Sequence, residues 1–141
     1  MVLRAFDASS RQITIHSDVR ADKVAELRVK PAACAYFWDP SAQVQLRASG
    51  PASLLEGEAV RPEWDRLHPG SRMSYRAKPA PGSSLADPAC LDLLPEAEAF
   101  RHFVVIRMEI QRLDWLRLSR DGQRRAAFDW KQGFIQTWLV P

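Results

Sequence analysis

The chain has 141 residues, the size of one domain with one core. Its net charge of +3, from 20 Lys and Arg against 17 Asp and Glu, is too balanced to indicate nucleic-acid binding. No apolar run approaches the ~20 residues of a membrane-spanning helix, and Met1 to Asp7 resembles neither a signal nor a transit peptide, so a cytoplasmic protein is expected.

Val2 to Phe6 reads as a strand that begins with no lead-in, which suggests a missing upstream segment. After the turn at Ser9-Ser10-Arg11, Ile13 and Ile15 alternate with Thr14 and His16, the pattern of a half-buried strand. A polar loop carrying Ser17, Asp18 and Arg20 leads into a helix over Ala21 to Lys30, with Val24, Leu27 and Val29 as its apolar stripe and Pro31 as its stop. Ala32 to Trp38 is a continuous apolar run and reads as a strand covered on both faces, with Cys34 a buried small hydrophobe.

Gln43 to Ala48 alternates cleanly, and Gly50-Pro51 interrupts it as an edge or bulge before Ala52 to Glu56 resumes. Glu58 to His68 reads as a helix with Val60, Trp64 and Leu67 on one face and Pro62 in its first turn. Arg76 to Pro95 is a long loop over the surface, with a short helix near Glu96. The last third is strongly β: Val104 to Gln111, Leu113 to Ser119, Gln123 to Trp130 and Phe134 to Val140. Asp121-Gly122 is read as a type I′ hairpin turn, which requires positive φ at both central residues. Many strands joined by short turns, with only a few helices, indicate a small β-barrel.

No nucleophile motif, P-loop or dinucleotide fingerprint is present. Cys34 and Cys90 form no Cys-x-x-Cys pair, and His16, His68 and His102 show no ligand spacing, so no metal site is expected. A chain without its own acid, base or nucleophile borrows its chemistry from a cofactor. Strand, polar loop and helix start over Ile13 to Lys23 suit a phosphate, because a helix N-terminus offers unpaired N–H groups and Arg4, Arg20 and Lys23 supply charge. Gln45, opposite Val44 and Leu46, can reach a ligand. Trp115 shares a face with Arg117 and Ser119.

The order of motifs resembles the pyridoxamine 5′-phosphate oxidase-like family of FMN-binding split β-barrels. The resemblance is carried by Met1-Val-Leu-Arg4, Ile15-His-Ser-Asp-x-Arg-x-x-Lys23, Phe37-Trp-Asp-Pro40, Gln45-Leu-Arg-x-x-Gly50, Trp64-x-x-Leu-x-x-x-Ser-Arg72, and Trp115 ten residues before Arg125. It implies a mainly β split barrel over residues 1–141, lacking the family's N-terminal helix and first strand. It also implies a homodimer with FMN at the interface and a small-molecule substrate. Met1, Val2, Leu3 and Arg4 would run along the flavin. His16, Ser17, Arg20 and Lys23 would hold its phosphate, and Gln45 its ring. Ser83 or Ser84 would supply a polar contact, and Trp115 and Arg125 would come from the partner chain. Ser71 or Ser74 with Arg72 would form part of a substrate site.

The family's substrate-binding Arg and His are replaced here by Asp121 and Gln123, and Asp22 stands where the phosphate clamp has a basic residue. The resemblance therefore points to an FMN-dependent, oxidase-like oxidoreductase of unknown substrate rather than to pyridoxine-phosphate oxidation. A non-catalytic flavin or haem carrier on the same barrel is the alternative, with His16, His68 or His102 as the only possible axial ligands.

Overall fold

A computed structural model describes residues 2–141. Eight strands dominate it: β1 (Leu3–Asp7), β2 (Gln12–Asp18), β3 (Ala32–Asp39), β4 (Val44–Glu56), β5 (Phe103–Glu109), β6 (Arg112–Arg117), β7 (Arg124–Asp129) and β8 (Ile135–Leu139). Four helices accompany them: α1 (Asp22–Val29), α2 (Arg61–Asp65), α3 (Pro69–Arg72) and α4 (Glu96–Ala99). The hydrogen-bonded strand order is β1-β2-β5-β4-β6-β7-β8, with β3 also paired to β4, and the sheet does not close. The chain folds into two compact units. One comprises residues 1–5, 14–31 and 53–107; the other comprises residues 6–13, 32–52 and 108–141.

The first unit packs around Trp64, Tyr75 and Phe103, whose rings meet edge-on or tilted at 5.3–5.5 Å between centroids, with Val60, Ala99 and Val105 filling between them. Such aromatic contacts add to the area they bury. A smaller cluster sets Val24 of α1 against Val104. Only Val24 of the expected α1 stripe is fully buried; Leu27 is half-buried and Val29 is 88% exposed, because α1 is two turns long and turns a single face inward. The helix expected over Glu58 to His68 is broken. A 3-10 turn, Gly57–Val60, precedes α2, and His68 is extended (ψ 139) because Pro69 follows it and opens α3. Its inward face nevertheless holds, with Val60 and Trp64 buried.

In the second unit β4 is flanked by β3 and β6, and β7 and β8 continue outward from β6, all antiparallel. β3 pairs only with β4, so it is an edge strand and is not covered on both faces: Cys34 is exposed, Tyr36 is 61% and Trp38 42% exposed. The β6–β7 hairpin is present, but Arg117 pairs with Arg124, leaving residues 118–123 as its loop. Gly122 alone has positive φ there (116°), so the two-residue type I′ turn does not form. β4 runs unbroken through Gly50-Pro51.

Candidate functional site

Strand β2 ends in buried Ser17 and Asp18 and delivers the chain to α1. Asp18 closes the connection. Its Oδ1 accepts the Arg20 backbone N–H and Nε–H, both at 2.9 Å, and its Oδ2 accepts Nη2–H at 2.7 Å. Nη1 donates to the carbonyls of Ala77 and Lys78, each at 2.9 Å. Four of the five N–H donors of Arg20 are thus taken by the protein. Arg20, expected as a free phosphate ligand, ties the start of the long 76–95 loop to the end of β2.

The start of α1 is open. Ala21 occupies the N-cap with no side-chain cap bond, and the N–H groups of Asp22 and Lys23 meet no protein acceptor among the described residues. Lys23 is exposed just there, and neither it nor exposed Arg4 makes an ion pair among the described residues. Asp22 stands in the same first turn and opposes an anion.

His16 lies on β2, two residues before Asp18. Its ring meets Phe103 edge-on at 4.9 Å, and its Nδ1 is buried without a partner. Burial, reinforced by the charge of Arg4 and opposed by Glu63, holds its pKa below 6.5. Burial likewise pushes the Tyr75 hydroxyl up to about 12, with Arg4 acting against it and Asp18 with it. Arg4, His16, Asp18 and Tyr75 therefore share one electrostatic environment.

The lowered His16 pKa has a testable sign. As pH falls through 6.5, the unfolded chain takes up this proton before the folded one, so stability declines from there down to the folded-state value. His16→Gln should flatten the fall in unfolding free energy between about pH 7.5 and 5.5, as read by urea titration. An unchanged slope would contradict a half-buried His16 that resists protonation.

The remaining candidates separate. Met1 lies outside the described residues, and Val2 and Leu3 are 59% and 42% exposed. In the second unit Gln45 pairs with Trp38 on one side and Leu116 on the other, and Leu116 pairs with Arg125, so Gln45 and Arg125 share a sheet face. Trp115 pairs with Leu46 and Ala126 on the opposite face, which it shares with Leu113 and Arg117. Arg125 is held two-pronged by Asp114, at 3.0 and 2.7 Å, which keeps the Asp114 carboxyl below the usual carboxylate range. Asp18 and Asp114 went unrecognised in the sequence. The signal for Asp18 was its position two residues before Arg20; nothing local announces Asp114.

Ser83 and Ser84 are exposed on the long loop, and Ser71 is half-buried in α3. Arg72 reaches the Asp65 carbonyl at 2.8 Å and Glu96 at 3.8 Å and lies over the Trp64 ring, so it braces the short helices. Of the histidines considered for haem, His102 is buried with Nδ1 2.9 Å from the Tyr75 carbonyl oxygen, and His68 Nδ1 accepts the Gly70 N–H. No group of three metal-ligating side chains occurs among the described residues, and none of their helices is long and apolar enough to cross a membrane.

Residues 1–56 match the family model described as pyridoxamine 5'-phosphate oxidase, FMN-binding domain. No curated protein matches the chain in sequence. Among solved structures, the chain is similar to a pyridoxamine 5'-phosphate oxidase-related, FMN binding protein from Nostoc punctiforme (TM-score 0.81, 19% identity, 100% of this chain and 79% of that one). It is similar also to PhzG from Burkholderia lata, solved with tetrahydrophenazine-1-carboxylic acid (TM-score 0.78, 21% identity, 99% and 72%). A more distant likeness is to a Clostridium acetobutylicum protein of the pyridoxinephosphate oxidase family, related to general stress protein 26 of B. subtilis (TM-score 0.53, 12% identity, 96% and 70%). The chain thus carries the mainly β fold of the pyridoxamine 5'-phosphate oxidase-related FMN-binding proteins, and its first 56 residues match the FMN-binding domain of pyridoxamine 5'-phosphate oxidase.

Proposed function

We propose that the protein binds FMN and acts as a flavin-dependent oxidoreductase on a small molecule, as a cytoplasmic homodimer. The observation that carries this reading is that the FMN-binding match over residues 1–56 covers both the open start of α1, with Lys23, and Arg4 of β1, neither cation being ion-paired among the described residues. Those groups fit a phosphate: among the described residues, the two N–H donors meet no acceptor and the two cations no carboxylate, and Ser17 is buried at the end of β2. Arg20 contributes by holding the loop at Ala77 and Lys78 rather than as a free cation, and it retains a single N–H for a ligand.

Asp22 lowers the affinity that the clamp could reach. His16 keeps its Nδ1 buried and without a hydrogen-bond partner, which favours the neutral ring. Val2 and Leu3 give an apolar edge along the flavin in this reading. Trp115 and Arg125 come from the second copy in this reading, with Asp114 fixing the Arg125 fork. Bound FMN supplies the redox chemistry; the chain supplies binding and orientation.

The test is the visible absorbance of the purified protein before and after adding FMN, with the dimer checked by light scattering. Flavin bands that stay with the protein through gel filtration are expected. A colourless protein whose spectrum of added FMN is unshifted would overturn the proposal.

A further inference from the structure

The long 76–95 loop has a stitched base and an unattached tip. At the base, Leu94 N–H donates to the Arg76 carbonyl at 2.7 Å and Lys78 N–H to the Asp92 carbonyl at 2.9 Å. Arg76 Nε–H reaches the Leu94 carbonyl at 2.7 Å, and Lys78 Nζ pairs with the Asp92 carboxylate at 3.0 Å. Beyond the base, every residue from Pro81 to Leu93 is exposed. Among the described residues, the hydrogen bonds of the tip stay within it: Ser83 N–H to the Ala80 carbonyl, and the Ala89 and Cys90 N–H groups to Asp87. An exposed backbone with so few ties opens locally at little cost.

The base is fastened to the first unit through Arg20, whose Nη1 donates to the Ala77 and Lys78 carbonyls. Asp18 grips the same guanidinium from its other side, through Oδ1 to Nε and Oδ2 to Nη2. Asp18 is buried, so these charge-assisted bonds are shielded from water. The main chain of Asp18 has a second task. Its carbonyl accepts the N–H of Ala21, the N-cap of α1, at 3.1 Å. One residue therefore sets the loop hinge with its side chain and the helix start with its backbone. Neither tie uses the N–H groups of Asp22 and Lys23, so both persist when those groups meet an anion.

We propose that Asp18 is a positioning residue: acting through Arg20, it couples the order of the 76–95 loop to occupancy of the start of α1. An anion on the first turn fixes residues 18–23 and with them the hinge, so the loop becomes quieter. By reciprocity, a loosened hinge weakens the grip on the anion. The coupling rests on the flavin reading; the latch itself does not.

Hydrogen–deuterium exchange of the whole protein tests both. Without ligand, Asp18→Asn sets an amide N–H₂ against Arg20 Nη2, and the Lys78 and Leu94 amides are expected to exchange about tenfold faster than in wild type. Arg20→Lys, which keeps the charge and loses the fork, should do the same. The β5 amides report global opening, and the change at the loop should exceed any change there. Saturating FMN should then slow the loop amides of wild type about threefold or more, and leave those of Asp18→Asn unprotected. Loop exchange that is equal in wild type and both variants, or that rises only as much as in β5, would overturn the latch. FMN that binds without slowing the wild-type loop, or that protects wild type and variant alike, would overturn the coupling. If FMN does not bind, the flavin reading and the coupling both fall, and the ligand-free comparison still decides the latch.

Discussion

Replacing Arg4 and Lys23 together by Gln is expected to weaken FMN binding about a hundredfold, because each charge-assisted contact to a phosphate is worth roughly 1.5–3 kcal/mol and 1.4 kcal/mol is a factor of ten. Both side chains are exposed and make no ion pair among the described residues, so their loss should leave the melting temperature nearly unchanged. Flavin fluorescence titration reads the affinity and circular dichroism the fold. Unaltered affinity in a folded double variant would remove these residues from the phosphate site. Asp22→Asn is expected to move affinity the other way, since it takes a negative charge out of the first turn of α1.

The largest stability effect is expected at Gly50. A Cβ there would sit 1.9 Å from the Glu109 carbonyl oxygen and 3.1 Å from the Gln111 nitrogen, both backbone atoms that cannot swing aside. Gln111 N–H also donates to the Ser49 carbonyl at 3.0 Å, so the chain beside β4 is tied in place. Gly50→Ala should therefore destabilise the protein by about 3 kcal/mol and lower its melting temperature by roughly 6–12 °C. Thermal unfolding followed by circular dichroism checks it. A shift of less than a degree or two would mean that the two backbones are further apart in solution.

Gly50 also marks where the sequence was legible and where it was not. The dipeptide Gly50-Pro51 was read as a break in the strand, because glycine and proline weaken a ladder. β4 instead runs from Val44 to Glu56, with glycine admitting a passing backbone sixty residues along the chain. That demand is set by a distant segment and leaves no local trace. The alternation of Ile13 and Ile15 was legible, since one residue in two faces the core, and both are buried.

The candidate site divides in the same way. The strand, loop and helix start over Ile13 to Lys23 followed from pattern alone, and α1 begins at Asp22, one residue after the expected start. The role of Arg20 did not follow. Its partners include carbonyls 57 and 58 residues away, which no spacing rule reaches. The exposure of β3 was hidden for a different reason: an apolar run looks the same at the centre of a sheet and at an edge, and Tyr36 and Trp38 face solvent in the single chain.

In the reading we propose, the open start of α1 with Lys23, together with Arg4, holds the phosphate of a flavin. Comparing the affinities of FMN and riboflavin by equilibrium fluorescence titration tests it most directly, because the two ligands differ only in that phosphate. FMN is expected to bind at least a hundredfold more tightly than riboflavin, with the difference shrinking as salt rises. Equal affinities for the two, or no binding of either, would contradict it.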